Sequence, residues 1–518
     1  MSAGNGNAAA YFVDRHLDEG RGDRIAFAEA SGLKRRLTYA ALHAESGRMA
    51  ALYRRLGLQP EDRAAMIMLD TIEFPVVFWG SLKAGVIPVP INTLLSPDYY
   101  EIILADSRAK ALFVSASLLP AIEPILPKLK HLRAVLVVGG EAGEGMSFAD
   151  ELAASESGGT IEASEDECAF WLYSSGSTGR PKGVRHVHGS LKATADTFGA
   201  RVLGTRPDDV VYSAAKLFFA YGLGNAMTFP MAAGATAGLL AGRPSPDAVF
   251  DTFEALRPTI FCGVPTLYAA LVAQMEKEMP KGLDRLRLCV SAGEALPAEI
   301  GQRWKKLTGV DIVDGVGSTE MLHIFLSNAP GDIVYGTSGV AVPGYEVRLV
   351  GEDGREVGDG EVGELLVRGP SAADGYWNQR EKSRSTFEGH WTRTGDKYER
   401  TADGRFVYCG RTDDMFKVSG IWVSPFEVEQ ALVTHQAVLE AAVVARRDEA
   451  GLEKPQAFVV LKNGAARDGL AEELREHVKA KVGMWKYPRW IEIADELPKT
   501  ATGKVQRFKL RQLLEGSA

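Results

Sequence analysis

Up to about Gly336, short apolar runs alternate with amphipathic stretches rich in Ala and Leu. AAMIML (64–69), AKALFVSA (109–116) and RAVLVVGG (133–140) read as buried strands, each near a helical pattern. TIFCGVP (259–265), LRLCVSAG (286–293) and VDIVDGVG (310–317) repeat the theme. Strands alternating with helices imply parallel sheets with crossover helices. In such sheets ligands bind beyond the carboxyl ends of the strands. The pattern then changes. YEVRLV (345–350), GELLVRG (363–369) and RFVYCG (405–410) are separated by GEDG, GDG and ADG turns, which predicts a mostly antiparallel β unit. From about Thr412, helix-like SPFEVEQALVTH and AEELREHVKAKV are interleaved with strand-like VLEAAVVARRD, AFVVLKN and WIEIADEL, a small α+β unit. The expected fold class is α/β. A large N-terminal body, residues 1–411, holds two parallel-type α/β subdomains and a small β unit, and a small α+β domain covers 412–518. The boundary falls at GRTDD.

One uncharged run qualifies this picture. Leu217 to Gly242 holds 26 positions without a charge, long enough for a membrane span. It contains five Gly, Pro230 and Asn225 and opens with aromatics, so it is read as a buried segment lining a pocket. The N-terminus has no basic start or long apolar core, and no secretory signal is expected. The four Cys, at 168, 262, 289 and 409, show no CxxC spacing and are read as small buried residues. These features predict a reducing cytoplasm. The chain is 46% apolar and 24% charged, with a formal charge of −8, which excludes a disordered chain and disfavours a basic nucleic-acid binder.

YSSGSTGRPKGV (173–184) carries the strongest chemistry. A strand-like CAFWLYS enters a loop of Ser, Thr and Gly, where backbone N–H groups and hydroxyls can close around phosphate oxygens. Lys182 adds a positive charge. The loop is not a GxxxxGK[ST] phosphate loop, because Pro181 precedes Lys182 and Gly183 follows it. In GSTE, Thr319 offers a hydroxyl and an amide, and Glu320 offers a hard oxygen ligand suited to Mg²⁺.

The twelve-residue string resembles the signature of the adenylate-forming enzymes: acyl-CoA synthetases, carrier-loading adenylation domains and luciferases. The resemblance runs on through SAGEALP (291–297), DGVGSTEM (314–321), TRTGD (392–396), YCGRTDDMFKVSG (408–420) and LPKTATGK (497–504), and so covers nearly the whole chain. It implies a nucleotide site made by Ser174, Ser175, Gly176, Ser177, Thr178, Gly179 and Lys182 around the phosphates. Ala292, Gly293 and Glu294 would flank the adenine, with Asp314 and Gly315 beside them. Thr319 would meet the α-phosphate, Glu320 would ligate Mg²⁺, and Asp396 and Arg411 would hold the ribose. Lys504 is implied as the catalytic cation, stabilising charge that builds when a carboxylate attacks the α-phosphate. Asp413 is implied as the hinge of a mobile C-terminal domain that rotates between two half-reactions. Lys417, Ser419 and Gly420 would line the tunnel for the CoA thiol.

The strings DTIEFPVVFWGSLKAGVIPVPINTLL, KLFFAYGLGN and DGVGSTEMLHIF are most similar to the benzoate-CoA ligase branch. Phe219, Ala220, Tyr221 and Gly222 would form one wall of the acid pocket, with Gly317, His323 and Ile324 opposite. Gly317 would let a flat ring pass the backbone. His323 has two readings, a packed polar residue or a group that orients the substrate carboxylate. Two positions depart from the family's habit: Val316 stands where many members carry an aromatic residue, and Phe219 where many carry a His. The expected activity is an ATP-dependent aryl-CoA ligase in aromatic degradation, with benzoate, ATP, Mg²⁺ and CoA as its small-molecule partners and neither nucleic acid nor membrane. A homodimer is left open. The rivals are a stand-alone enzyme loading a carrier protein, since only 14 residues follow Lys504, and a nucleotide sensor without catalysis. A serine hydrolase is disfavoured because no GxSxG elbow is present.

Overall fold

Strands covered on both faces read as unbroken apolar runs, and the run ALFVS is one: Ala111–Ser115 is buried at every position. In the computed structural model, which describes residues 5–175, 181–418, 421–449, 451–462, 469–499 and 505–515, this strand lies between Arg63–Ile67 and Ala134–Val138. Ile87–Pro90 and Met146–Ser147 complete a five-stranded, all-parallel sheet. A second sheet has nine strands. Six are parallel, in the order Ile312–Gly317, Leu288–Ser291, Ile260–Gly263, Val210–Ser213, Thr236–Leu239 and Ile25–Glu29. Antiparallel Ile324–Ser327 and Val340–Ala341 extend one edge, and Arg36–Thr38 the other.

Crossover helices cover the second sheet for legible reasons. The helix Pro246–Leu256 begins at Ser245, whose hydroxyl accepts from Ala248 N, with Pro246 in the first turn and Asp247 near the positive helix end. It ends where Arg257 turns left-handed. Phe253 projects from it into a fully buried aromatic cluster with Tyr212, Phe261, Tyr268 and Trp304. The Phe253 and Phe261 rings meet edge to face at 4.9 Å. Truncating such a residue to Ala costs about 3–5 kcal/mol.

Strand and helix do not alternate at the Ser/Gly loop. Cys168–Ser175 pairs antiparallel with Pro181–Val187, and Gly375–Tyr376 adds a third strand. The five intervening positions are too few for a parallel crossover, which needs a dozen or more. The uncharged run folds as helical segments from Ala220 to Ala233 and then as the strand Thr236–Leu239. Among the described residues no helix is long and apolar enough to cross a membrane.

The chain divides into two compact units, Met1–Val347 with Val367–Arg393, and Arg348–Leu366 with Thr394–Ala518. The sheets above belong to the first. In the second, Trp391–Arg400, from Asp396 on, pairs antiparallel with Phe406–Arg411. A hairpin of Phe416–Val418 and Ile421–Val423 follows. Val438–Arg447 is antiparallel to Glu453–Leu461, which is parallel to Trp490–Ile493. The helices Pro425–Val433 and Leu470–Val482 bury Leu432, Leu474 and Val478 against Val443 and Val459. The α/β body and the α+β C-terminal unit match the expected fold class. All four cysteines are free; Cys262 and Cys289 are buried, whereas Cys168 and Cys409 are only half-buried.

Candidate active site

Register decides which loops meet. Ser291 pairs with Asp314 across adjacent parallel strands, so Ala292, Gly293 and Glu294 leave the carboxyl end of their strand beside Asp314, while DGVG runs on as strand paired with Ile324–Ser327. Gly293 takes φ +96°, a conformation that disfavours other residues. Ala292 is buried, and Gly293 and Glu294 are exposed. Asp314 and Gly315 are buried. Burial pushes the Asp314 carboxyl up to about 8, against the opposing effect of the Ser291 hydroxyl and the Leu296 amide.

The GSTE turn is tied down from two directions. His186 Nε2 lies 2.8 Å from Thr319 O, which makes the ring the donor there; burial holds its pKa down to about 4, so the ring is neutral. Ser371 Oγ donates to Met321 O at 2.7 Å, and Ala373 N donates to Glu320 O at 2.8 Å. The Tyr376 hydroxyl donates to Glu320 Oε1 at 2.8 Å. Lys182 Nζ is 3.8 Å from the same oxygen. Leu322, at φ +64°, marks strain in the turn of a kind that costs about 1–3 kcal/mol. The structure therefore brings Lys182, Thr319 and Glu320 together. Ser174 pairs with Lys182 in the hairpin, and Ser175 ends its strand. Gly176, Ser177, Thr178 and Gly179 lie outside the described residues.

The segments expected to wall the acid pocket are continuous with that turn. Gly317 pairs with Ile324 where the strand doubles back, and a Cβ at 317 would lie 2.4 Å from His323 O. The glycine is thus needed by the chain's own reversal. His323 is buried between Phe198, Phe229 and Tyr221, with ring centroids 5.1, 4.5 and 5.7 Å away. Its Nε2 is 3.3 Å from Tyr221 O, and burial lowers its pKa to about 3. The Tyr221 hydroxyl donates to Val290 O and Gly263 O. Phe219 caps the short helix Ala220–Leu223, and its ring meets Phe218 at 4.6 Å. At Gly222 a Cβ would be 2.0 Å from Lys216 O. Upstream, both oxygens of buried Asp70 accept from Leu217 N at 3.3 Å and anchor the start of the wall. Burial raises Asp70 to about 6.

In the second unit Asp396 pairs with Arg411, and Arg411 Nη1 reaches Asp396 Oδ1 at 2.9 Å and Thr394 O at 3.1 Å. Asp413 is exposed in the turn after this pair. Its neighbour Asp414 is gripped by Arg507 at 3.4 Å and Arg511 at 2.8 Å. Lys417 pairs with Glu352 at 3.0 Å. Ser419, Gly420 and Lys504 lie outside the described residues. The bridge Lys499↔Val505 and the bond from Gln506 N to Pro498 O frame the lysine's segment.

A family model described as AMP-binding enzyme matches residues 14–377, and one described as AMP-binding enzyme C-terminal domain matches 427–504. The chain belongs to the AMP-binding enzyme family. It is 54% identical over 513 residues to a 4-hydroxybenzoate–CoA/benzoate–CoA ligase of Rhodopseudomonas palustris, covering 98% of this chain and 94% of the relative. It is 53% identical over 509 residues to a benzoate–CoA ligase of Thauera aromatica, covering 98% and 95%. The crystal structure of a benzoate CoA ligase from Burkholderia xenovorans LB400 superposes with a TM-score of 0.89 at 48% identity, covering 98% of this chain and 99% of that one.

For an AMP-binding enzyme, Mg²⁺ needs a site compatible with nucleotide phosphates. Among the described residues no three His, Cys, Asp or Glu side chains converge on a metal position. Glu320 alone suits Mg²⁺, which binds through one or two carboxylates plus substrate phosphates. Sequence reasoning singled out none of Asp70, His186, Phe198 and Tyr376 at this candidate site, and Phe229 lay unnamed inside the uncharged run read as lining a pocket; Tyr376 had a local signal, an aromatic pair after glycine in DGYW.

Proposed function

We propose that the chain is an ATP-dependent aryl-CoA ligase with benzoate as its acid. The observation that carries this reading is the direct join, through Gly317–Ile324, between the GSTE turn and a buried, neutral, aromatic-lined wall. Identity of 53–54% to benzoate-activating ligases over 98% of the chain supports it.

In the first step a benzoate oxygen attacks the α-phosphorus of ATP; the new O–P bond forms and pyrophosphate leaves. Lys182 and Thr319 meet phosphate oxygens, and Asp396 and Arg411 bind the ribose. Mg²⁺, held by Glu320 and phosphate oxygens, would neutralise charge on the leaving pyrophosphate. Lys504 stabilises the charge that builds as two anions meet. In the second step the CoA thiol loses its proton, attacks the acyl carbon and expels AMP, with Lys417, Ser419 and Gly420 along its approach and Asp413 as the hinge. His323 keeps the packing role: its Nε2–H is committed to Tyr221 O, so the neutral ring presents only a lone pair at Nδ1, which cannot donate to a carboxylate. Four free thiols suit a reducing cytoplasm.

The test is pyrophosphate exchange across a panel of carboxylic acids, repeated as AMP release with CoA. Benzoate-dependent exchange and CoA-dependent AMP release are expected. No exchange with any aryl acid refutes the reading, and exchange without a CoA-dependent product favours carrier loading. Lys504→Ala should slow adenylation by about 10²–10³-fold yet still convert supplied benzoyl-AMP with CoA.

A further inference from the structure

We infer that Tyr376 is a positioning residue which keeps Lys182 and Glu320 from closing into a direct hydrogen-bonded ion pair, so that the ammonium serves phosphate and the carboxylate serves the metal. The inference rests on the proposed ATP chemistry and adds a residue to it.

The geometry is specific. Gly375–Tyr376 pairs with the phosphate-loop hairpin, Gly375 opposite Arg185 and Tyr376 opposite Val184. Asp374 N and Trp377 N donate to Arg185 O and Gly183 O on either side. Tyr376 is 5% exposed, and its ring lies against Phe387 at 5.4 Å. From this fixed ring the hydroxyl donates to Glu320 Oε1 at 2.8 Å. Lys182 Nζ sits over the ring, 4.5 Å from the centroid and 3.5 Å from the hydroxyl oxygen.

The lysine thus stands 3.8 Å from the carboxylate, within ion-pair range but beyond hydrogen-bond distance. A direct, half-buried ion pair would satisfy both charges against each other and compete with ligands of either sign. The phenol prevents this in two ways. It fills Oε1 with a neutral donor, and among the described residues no hydrogen-bond donor occupies the other oxygen of Glu320. Its ring face attracts the ammonium without neutralising it. The main chain of the GSTE turn does not depend on the hydroxyl, because His186, Ser371 and Ala373 hold it separately. Removing the hydroxyl therefore isolates its electrostatic effect.

Tyr376→Phe keeps the ring and loses the hydroxyl; Tyr376→Leu loses both. Calorimetric titration of full-length protein with ATP, with and without Mg²⁺, reads binding apart from turnover. For Tyr376→Phe, the Kd for ATP with Mg²⁺ should rise about tenfold, the scale of a lost hydrogen bond to a charged group, and Mg²⁺-free ATP should also bind more weakly, because Lys182, which donates to the hydroxyl at 3.5 Å, is then drawn to Glu320. Its Mg²⁺ half-saturation for adenylation should rise in parallel, with the benzoate KM and the conversion of supplied benzoyl-AMP unchanged. Tyr376→Leu should weaken Mg²⁺-free ATP binding further, because Lys182 loses the ring beneath it as well as the hydroxyl. A Tyr376→Phe protein with wild-type Mg²⁺ dependence, or one whose only change is a lower Tm, overturns the inference. Failure of the wild type to adenylate any aryl acid would overturn the proposed function instead, and the ATP-binding comparison would still report on the tyrosine.

Discussion

The proposed phosphate side and the proposed aryl side of the first unit are built by different means. Around Thr319 and Glu320, polar groups find partners from distant segments: His186 Nε2, Ala373 N and Tyr376 OH each make a bond at 2.8 Å. Around the 217–229 wall, shape does the holding. Gly222, Gly224 and Gly317 admit backbone or ring contacts that a Cβ would block at 2.0, 2.4 and 2.4 Å. The same wall buries polar atoms that lack a partner among the described residues, His323 Nδ1 and both amide atoms of Asn225. Each such group costs about 1–3 kcal/mol, which close packing must offset. A site for a multiply charged nucleotide needs donors and cations in fixed places. A site for a flat apolar ring needs a surface that cannot swell.

The largest effect should come from the phosphate side. Glu320→Gln is expected to lower the adenylation kcat by about 10²–10³-fold while the benzoate KM barely moves, a split that steady-state kinetics with either substrate varied would read. Equal losses on both substrates would break the contrast. On the aryl side, Gly222→Ala adds a methyl where Lys216 O already stands. Overpacking of this kind costs about 1–3 kcal/mol, so a lower Tm and a benzoate KM raised about 10–100-fold should accompany an unchanged ATP KM. An unchanged benzoate KM would show that the wall can yield.

The smaller effects concern protons. Asp314 is raised to about 8 in the fold from an ordinary 3.8. Between these values the folded state binds the proton that the unfolded state has released, so its stability falls as pH rises, by up to about 1.4 kcal/mol per unit. Thermal unfolding of ligand-free Asp314→Asn from pH 5 to 8 should show a shallower decline than wild type; parallel curves would mean that Asp314 is not held protonated. His323 shifts the other way, to about 3 from 6.5, and contributes stability that is lost as pH falls through this window. Its titration should therefore leave no inflection in kcat/KM for benzoate between pH 6 and 8, and an inflection that vanishes in His323→Phe would return it to the carboxylate-orienting role.

Much of the fold was legible because both-face burial writes itself as continuous apolar runs, as at Ala111–Ser115 and Leu288–Ser291, where every residue is buried. Lys182, Thr319 and Glu320 were legible because their chemistry sits inside short Gly-, Ser- and Thr-rich strings. Tyr376 was not, since its partner Glu320 lies 56 residues away and only the tertiary pairing of Gly375–Tyr376 with the hairpin joins them. Asp70 reads as an ordinary loop acid, and its partner Leu217 lies 147 residues on. The antiparallel hairpin at 168–187 was missed because strand runs alone carry no direction. Gly317 was read as making room for substrate, whereas the return of the chain through His323 already demands it.

The central claim is that a carboxylate oxygen attacks the α-phosphate of ATP before the thiol arrives. Turnover of benzoate labelled with ¹⁸O in the carboxyl group, with ATP, Mg²⁺ and CoA, tests it directly by mass spectrometry of the products. One ¹⁸O transferred to AMP for each thioester formed is predicted. Label appearing in pyrophosphate or orthophosphate, or AMP released without label, would contradict it.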